Sequence, residues 1–202
     1  MIRLLNKVPD RITIALSGGP DSMAALHFFS KSKRDIKAVY FNHGTSHGTA
    51  AQGFVSDYCE RNNIPLKIGL LRARKDPAHS LEEHWRIHRY NFLKEVAGDS
   101  PIITGHHLDD AVEWWIFSSL HGEGKLIPYK NDNLNVLRPL VLNRKQVLLS
   151  YLKKNEVPYI RDSSNTNTSF MRNYIRSELM PHALRVNPGL PKTIKKKYLN
   201  KK

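Results

Sequence analysis

An α/β fold, with a mostly parallel sheet and helices on both faces, is what the sequence predicts. Three observations carry that reading. Short apolar or β-branched runs alternate with longer stretches of helical period. The runs Ile12–Leu16 (ITIAL) and Ile102–Thr104 (IIT) are almost wholly apolar, as strands covered on both faces must be. A Gly-Gly pair, Gly18-Gly19, falls where the first run ends and the first helical pattern begins.

Taken in order, Ile12–Leu16 reads as the first strand and Ser22–Lys31 as a helix with Met23, Leu26 and Phe29 turned inward. Ala38–Phe41 is the second strand, and Thr49–Asn62 a helix carrying Phe54, Val55, Tyr58 and Cys59 at helical spacing. Leu66–Leu71 is the third strand and Leu81–Val96 the third helix. Ile102–Thr104 is a short fourth strand, followed by an apolar helix, Leu108–Leu120, with acids on one side. His121–Asn135 reads as a polar loop, and Val136–Leu142 as a final edge strand ending at Pro139. Asn143 is the expected N-cap of a helix reaching Asn155. Asp162–Ser169 is turn-forming, and Phe170–His182 is a helix expected to stop near Pro181. The expected organisation is a nucleotide-binding α/β unit over residues 1–142, a helical extension over 143–190, and a Lys-rich tail over 191–202, disordered without a ligand.

The 202 residues suit one well-buried domain with a short appendage. No run approaches the about 18 consecutive apolar residues of a membrane span; Ala111–Phe117 is interrupted by Glu113. Met1–Asp10 has no apolar core followed by a cleavage site. The single cysteine, Cys59, excludes an intrachain disulfide, a multi-cysteine zinc site and a two-cysteine sulfur-transfer mechanism. A cytoplasmic location without a membrane partner is expected. The net charge is +14, and Ser163–Lys202 holds nine basic residues against one acid, a net of +8. An excess so clustered favours nucleic acid as partner over a merely solvated surface.

Ser17-Gly18-Gly19-Pro20-Asp21-Ser22 has the composition of a phosphate loop. Glycines let backbone N–H groups turn inward around a pyrophosphate, and the next helix adds its free N–H groups and positive dipole end. Ser17 and Ser22 supply hydroxyls; Asp21 either caps the helix or holds a magnesium ion carried by the phosphates. It is neither the GxxxxGK loop nor GxGxxG. Asp109, Asp110 and Glu113 gather carboxylates on one helical face, which calls for a cation between them or simply reflects acids at a helix N-terminus. His106 and His107 follow a strand end, where α/β proteins place ligands, although a histidine there also caps or packs. Arg86 and Arg89 share a face and suit phosphate, or else pair with Glu82 or Glu83. Arg172 and Arg176 lie in a segment poor in acids, which favours nucleic acid. Trp85, Trp114 and Trp115 occupy apolar helix positions that favour core packing, and Cys59 reads as buried filler.

The string SGGPDS resembles the pyrophosphate loop of the PP-loop ATPases, also called adenine nucleotide alpha hydrolase-like enzymes, which release AMP and pyrophosphate from ATP. Further stretches resemble, in order, the tRNA(Ile)-lysidine synthases of that superfamily: Asn42-His43-Gly44; Glu82, Arg86, Arg89 and Tyr90; the HHxDDxxE-like run Gly105–Glu113; Arg138-Pro139-Leu140; Asp162-Ser163-Ser164-Asn165; and Arg172-Asn173 with Arg176. The resemblance implies ATP at Ser17, Gly18, Gly19, Pro20, Asp21, Ser22, Asn42, His43, Gly105 and His106. It implies catalytic carboxylates Asp109, Asp110 and Glu113, Mg2+ held through ATP by Asp21 and Asp109, and tRNA contacts by Arg86, Arg89, Arg172, Asn173 and Arg176. The implied reaction adenylates the C2 oxygen of an anticodon cytidine; the ε-amine of free L-lysine then displaces AMP. Partners are tRNA and L-lysine, with a second copy of the chain a further candidate. Ala111 and Trp114 stand where that family carries Gln and Thr, Ser80 where it carries Asn, and the glycine loop after the carboxylate helix is altered. Alternatives are another AMP-forming PP-loop enzyme, or a nucleotide-dependent RNA-binding module that has lost turnover.

Overall fold

A computed structural model describes residues 1–75, 77–161 and 171–200. The elements are β1 (Arg11–Leu16), α1 (Pro20–Ser30), β2 (Asp35–Asn42), α2 (Ser46–Arg61), β3 (Leu66–Leu70), α3 (Leu81–Ala97), β4 (Ile102–Ile103), α4 (Leu108–Leu120), β5 (Lys130–Asn131), β6 (Val136–Leu137) and α5 (Lys145–Lys154). A C-terminal group follows: α6 (Met171–Tyr174), a π-helical turn (Ile175–Leu179), α7 (Met180–Val186) and α8 (Leu190–Leu199).

The six strands lie in the order β3-β2-β1-β4-β6-β5, all parallel except β5. Ile12, Ile14 and Leu16 of β1 are buried, and so are Ile102 and Ile103 of β4. On one face, α1, α2 and α5 bury Met23, Leu26, Phe29, Val55, Cys59, Leu148 and Leu152 with the strand residues. On the other, α3 buries Tyr90, Leu93 and Ala97 against Val39, Ile102 and Val136. The chain leaves β1 towards β2 and β3, then returns to the opposite side of β1 at β4. The carboxyl ends of β1 and β4 therefore flank a point where the winding reverses, which opens a crevice in parallel sheets.

Four sequence expectations are corrected. Val136–Leu142 is not an edge strand: only Val136 and Leu137 pair, inside the sheet, and the edge is Lys130–Asn131 from the expected loop. Asn143 does not cap α5, whose N-cap is Arg144. Buried Asn143 instead accepts from the Arg3 N–H at 2.8 Å and donates to the carbonyls of Arg3 (2.7 Å) and Leu140 (2.8 Å), fastening the N-terminal segment. Pro181 does not end its helix. The π turn just before it lets Met180 N–H reach the Ile175 carbonyl, and Pro181 sits in the first turn of a further helical stretch, Met180–Val186. The Lys-rich end is not disordered over residues 190–199: α8 buries Leu190, Ile194 and Tyr198 against α4 and leaves Lys192, Lys196 and Lys197 exposed. The Tyr198 hydroxyl donates to the Ile127 carbonyl at 2.7 Å. The expected Asp162–Asn165 motif and turn lie outside the described residues, as does Phe170.

Candidate active site

The loop after β1 and the loop after β4 meet across the crevice. A Cβ added to Gly105 would sit 2.7 Å from the Asp21 carbonyl carbon and 3.0 Å from the Ser22 nitrogen, so only glycine permits this approach. Gly18 has φ +76°, a left-handed conformation that turns the loop, and its carbonyl accepts from Ile160 N–H at 3.0 Å. The hydroxyls of Ser17 and Ser22 lie 3.1 Å apart, Ser22 Oγ donates to the Gly19 carbonyl at 3.0 Å, and Gly19 N–H donates to Ser17 Oγ at 3.3 Å. No side chain caps α1, which starts at Pro20, two residues earlier than expected. Its first-turn N–H groups and dipole end thus face the crevice, the arrangement that receives anions at helix N-termini.

His107, which sequence reasoning left outside the site, sits at the centre of this junction and is 1% exposed. It caps α4 reciprocally with Asp110: His107 N–H donates to Asp110 Oδ2 at 2.9 Å, and Asp110 N–H donates to His107 Nδ1 at 3.3 Å. Its Nε2 lies 3.4 Å from Asp21 Oδ1, and both are buried atoms without a hydrogen-bond partner. Burial disfavours the imidazolium, but Asp21, Asp110 and Asp109 outweigh it, and the His107 pKa is raised. For Asp110, burial is outweighed by His107, Arg172 and His106 together with the His107 N–H, and its pKa falls to about 2.

Two arginines grip the carboxylates of α4. Arg172 Nη2 donates to Asp110 Oδ1 at 2.7 Å; Arg176 Nε donates to Glu113 Oε1 at 2.6 Å and Nη2 to Oε2 at 3.0 Å. The expectation that Arg172 and Arg176 lack nearby acids is therefore corrected, since their partners come from about sixty residues upstream. The cation between Asp110 and Glu113 is guanidinium. Asp109 is also engaged: Oδ1 accepts from Arg144 Nε at 2.8 Å and Oδ2 from Lys145 N–H at 2.7 Å, tying the starts of α4 and α5 together. Among the described residues, no group of three or more His, Cys, Asp or Glu side chains is arranged to hold a metal. Asp21 Oδ1 is buried without a hydrogen-bond partner among the described residues, facing His107 Nε2.

At His106, next to Gly105, lies a cavity of about 430 Å³, lined also by Glu82, Arg86, Asp110, Glu113, Trp114, Phe117, Arg138 and Arg172 among others. Among the described residues no ion pair joins Arg86 or Arg89 to Glu82 or Glu83; both guanidiniums lie over the Tyr90 ring, at 5.0 and 5.2 Å. Asn173 is half-buried next to Arg172 on α6. Asn42 is buried and closes its turn, accepting from Gly44 N–H at 2.8 Å and donating to Gln52 Oε1 at 3.0 Å. His43 lies between Phe41 and Trp85, at 5.2 and 5.1 Å. Burial and then Arg89 lower His43 to about 4. Burial, with Arg138, Arg172 and His107 adding to it against Asp110, lowers His106 to about 4. Both stay neutral at pH 7. Trp114 is 41% exposed, against the expectation of core packing, whereas Trp115 is half-buried against the α8 cluster.

A glycine loop and an uncapped helix N-terminus at a sheet switch point, backed by buried His and Asp groups, define a nucleotide-binding α/β domain of the kind that cradles phosphates. The chain belongs to the PP-loop domain family, which it matches over residues 2–183. It is 33% identical over 201 residues to a tRNA(Ile)-lysidine synthase of Nitrosomonas europaea, covering 92% of this chain and 43% of that protein. It is 31% identical over 194 residues to one from Thermotoga maritima (89% and 46%) and 31% identical over 198 residues to a "Bifunctional protein TilS/HprT" of Listeria monocytogenes (90% and 31%). The chain thus spans less than half the length of these curated relatives. Among solved structures, the fold resembles an NH3-dependent NAD synthetase from Campylobacter jejuni, with TM-score 0.54 at 14% identity over 97% of this chain and 86% of that one. An NMN synthetase from Francisella tularensis gives 0.53 at 15% identity (95% and 84%).

Proposed function

We propose that the chain is an ATP-dependent ligase that modifies tRNA, converting an anticodon cytidine to lysidine with release of AMP and pyrophosphate. The observation that carries this is the close approach of Gly105 to Asp21 and Ser22 of the glycine loop, one residue before His106, which lines the carboxylate-and-arginine cavity. Gly18, Gly19 and the first turn of α1 hold the ATP phosphates, with Ser17 and Ser22 shaping the loop. Asn42, His43, Gly105 and His106 flank the nucleotide; the two histidines, neutral at pH 7, add no charge against it.

The unpartnered Oδ1 of Asp21 fits a hard cation, and magnesium there would neutralise charge on the leaving pyrophosphate. Asp109, with both oxygens engaged, supports that site through His107 and α5 rather than as a free ligand. Asp110 and Glu113 line the cavity and attract the lysine ammonium; Arg172 and Arg176 hold them ready and exchange toward RNA phosphate. Arg86, Arg89 and Asn173 complete the tRNA contacts. Nothing in this scheme needs a membrane: no helix among the described residues is long and apolar enough to cross one.

A second reading, an RNA-binding module without turnover, is favoured by the neutralisation of Asp110 and Glu113 by arginine. Incubation with ATP, magnesium, L-lysine and a CAU-anticodon transcript separates the two. Pyrophosphate release that needs RNA, and AMP release that needs both RNA and lysine, support the ligase. RNA binding without AMP supports the module.

A further inference from the structure

The apolar exposure at the cavity mouth is not accounted for by ATP or lysine. Trp114, Phe117 and, just past the end of α4, His121 follow one another at helical spacing; Trp114 is exposed, and Phe117 is half-buried at the edge of the cluster that holds Ala111, Val112 and Ile116. Their rings form a ladder, with centroids 5.6 Å apart at 34° between Trp114 and Phe117, and 4.4 Å apart at 40° between Phe117 and His121. Trp114 and Phe117 both line the cavity, where Arg86 and Arg172 supply positive charge. The buried carboxylates of Asp110 and Glu113 line the same cavity as Trp114.

We propose that Trp114 and Phe117 form a stacking platform for an unpaired nucleobase, with Arg86 and Arg172 receiving the phosphates on either side. Every base offers a π face, and base–aromatic stacking combined with a positive groove is how proteins hold unpaired strands. Charge complementarity favours this occupant: the chain carries +14, and of the acids lining the cavity Asp110 and Glu113 are buried and already paired with arginine. The proposal rests on RNA being the partner proposed above. It adds that Trp114, which replaces the threonine of the family this chain resembles, selects a splayed base instead of only filling space.

The test measures binding of the full chain to a fluorescently labelled CAU anticodon stem–loop and to the same stem–loop with abasic anticodon positions. Wild type, Trp114→Phe and Trp114→Ala are compared after circular dichroism confirms that each is folded. Wild type is expected to prefer the intact loop by about 5- to 100-fold. Trp114→Ala should lose that preference, and Trp114→Phe should keep most of it. Trp114→Ala binding the intact loop as tightly as wild type, with RNA-dependent AMP formation unchanged, overturns the platform and leaves the proposed function standing. A wild-type chain that binds neither loop overturns the proposed function, and the platform with it. A dimer seen by sedimentation that Trp114→Ala dissociates, with RNA affinity unchanged, assigns the face to a second copy and also overturns the proposal.

Discussion

Arg176 meets Glu113 with two nitrogens, Nε at 2.6 Å from Oε1 and Nη2 at 3.0 Å from Oε2, and the carboxylate it holds is 3% exposed. Such a pair is informative because its halves are unequal. Arg176 remains about one-third exposed, whereas Glu113 cannot regain water without unfolding. Removing the arginine leaves the buried carboxylate with only the longer contact from Arg172 Nε at 3.4 Å, so the cost stays below the about 3 kcal/mol or more of a fully stranded buried charge.

Arg176→Met is therefore expected to lower unfolding stability by about 2–3 kcal/mol in urea titrations, somewhat reduced by the exposure of the arginine. Adding Glu113→Gln should restore part of the loss. A double variant as unstable as the sum of the two single variants would show that the pair does not couple.

Acid should destabilise the fold well above the range of ordinary carboxylates. His43 and His106 sit at about 4 when folded and near 6.5 when unfolded, so the unfolded chain takes up their protons first. Their contribution is present above pH 6.5 and is lost as pH falls through 4. Asp110, at about 2, adds a further loss below its unfolded value of 3.8. His107 is raised and works the other way, gaining stability on acidification. The net expectation is a fall in stability between pH 7 and pH 4. His106→Asn should flatten that fall in denaturant titrations run across the range.

Cys59 is 1% exposed, and burial pushes its thiol to about 11. Alkylation by iodoacetamide at pH 8 should be slower than for an unfolded control by a factor of a hundred or more, because the thiolate is rare and the site closed. Equal rates would place Cys59 on a mobile surface.

The lysines of α8 are separable from its packing. Replacing Lys192, Lys195, Lys196 and Lys197 with Gln leaves Leu190, Ile194 and Tyr198 buried, so the melting temperature should hardly move. If all four lysines meet phosphate, the dependence of log affinity for tRNA on log salt should become shallower by about 3. An unchanged slope would remove α8 from the RNA interface.

The sheet and the phosphate loop were legible because their signals are local. ITIAL, IIT and SGGPDS each announce a strand or a turn within a few residues, and parallel strands need apolar runs. What escaped depends on distant partners. Nothing near Arg172 and Arg176 hints that Asp110 and Glu113 will meet them, nor near Asp109 that it will hold Arg144 and the Lys145 N–H. Capping was one of the readings open for His107, and the structure realises it; what local sequence does not show is that its Nε2 faces Asp21 across the crevice. The end of the chain was misread for a compositional reason. Its lysines suggest disorder, but Leu190, Ile194 and Tyr198 recur every four residues and give α8 one face to bury.

The proposed function is tested most directly by following labelled L-lysine onto a CAU-anticodon transcript in the presence of ATP and magnesium, with Asp21→Asn as control. The account expects label retained at the anticodon cytidine, one AMP formed for each lysine retained, and both signals lost in Asp21→Asn. AMP formed without lysine retained, or lysine retained equally by Asp21→Asn, would contradict it.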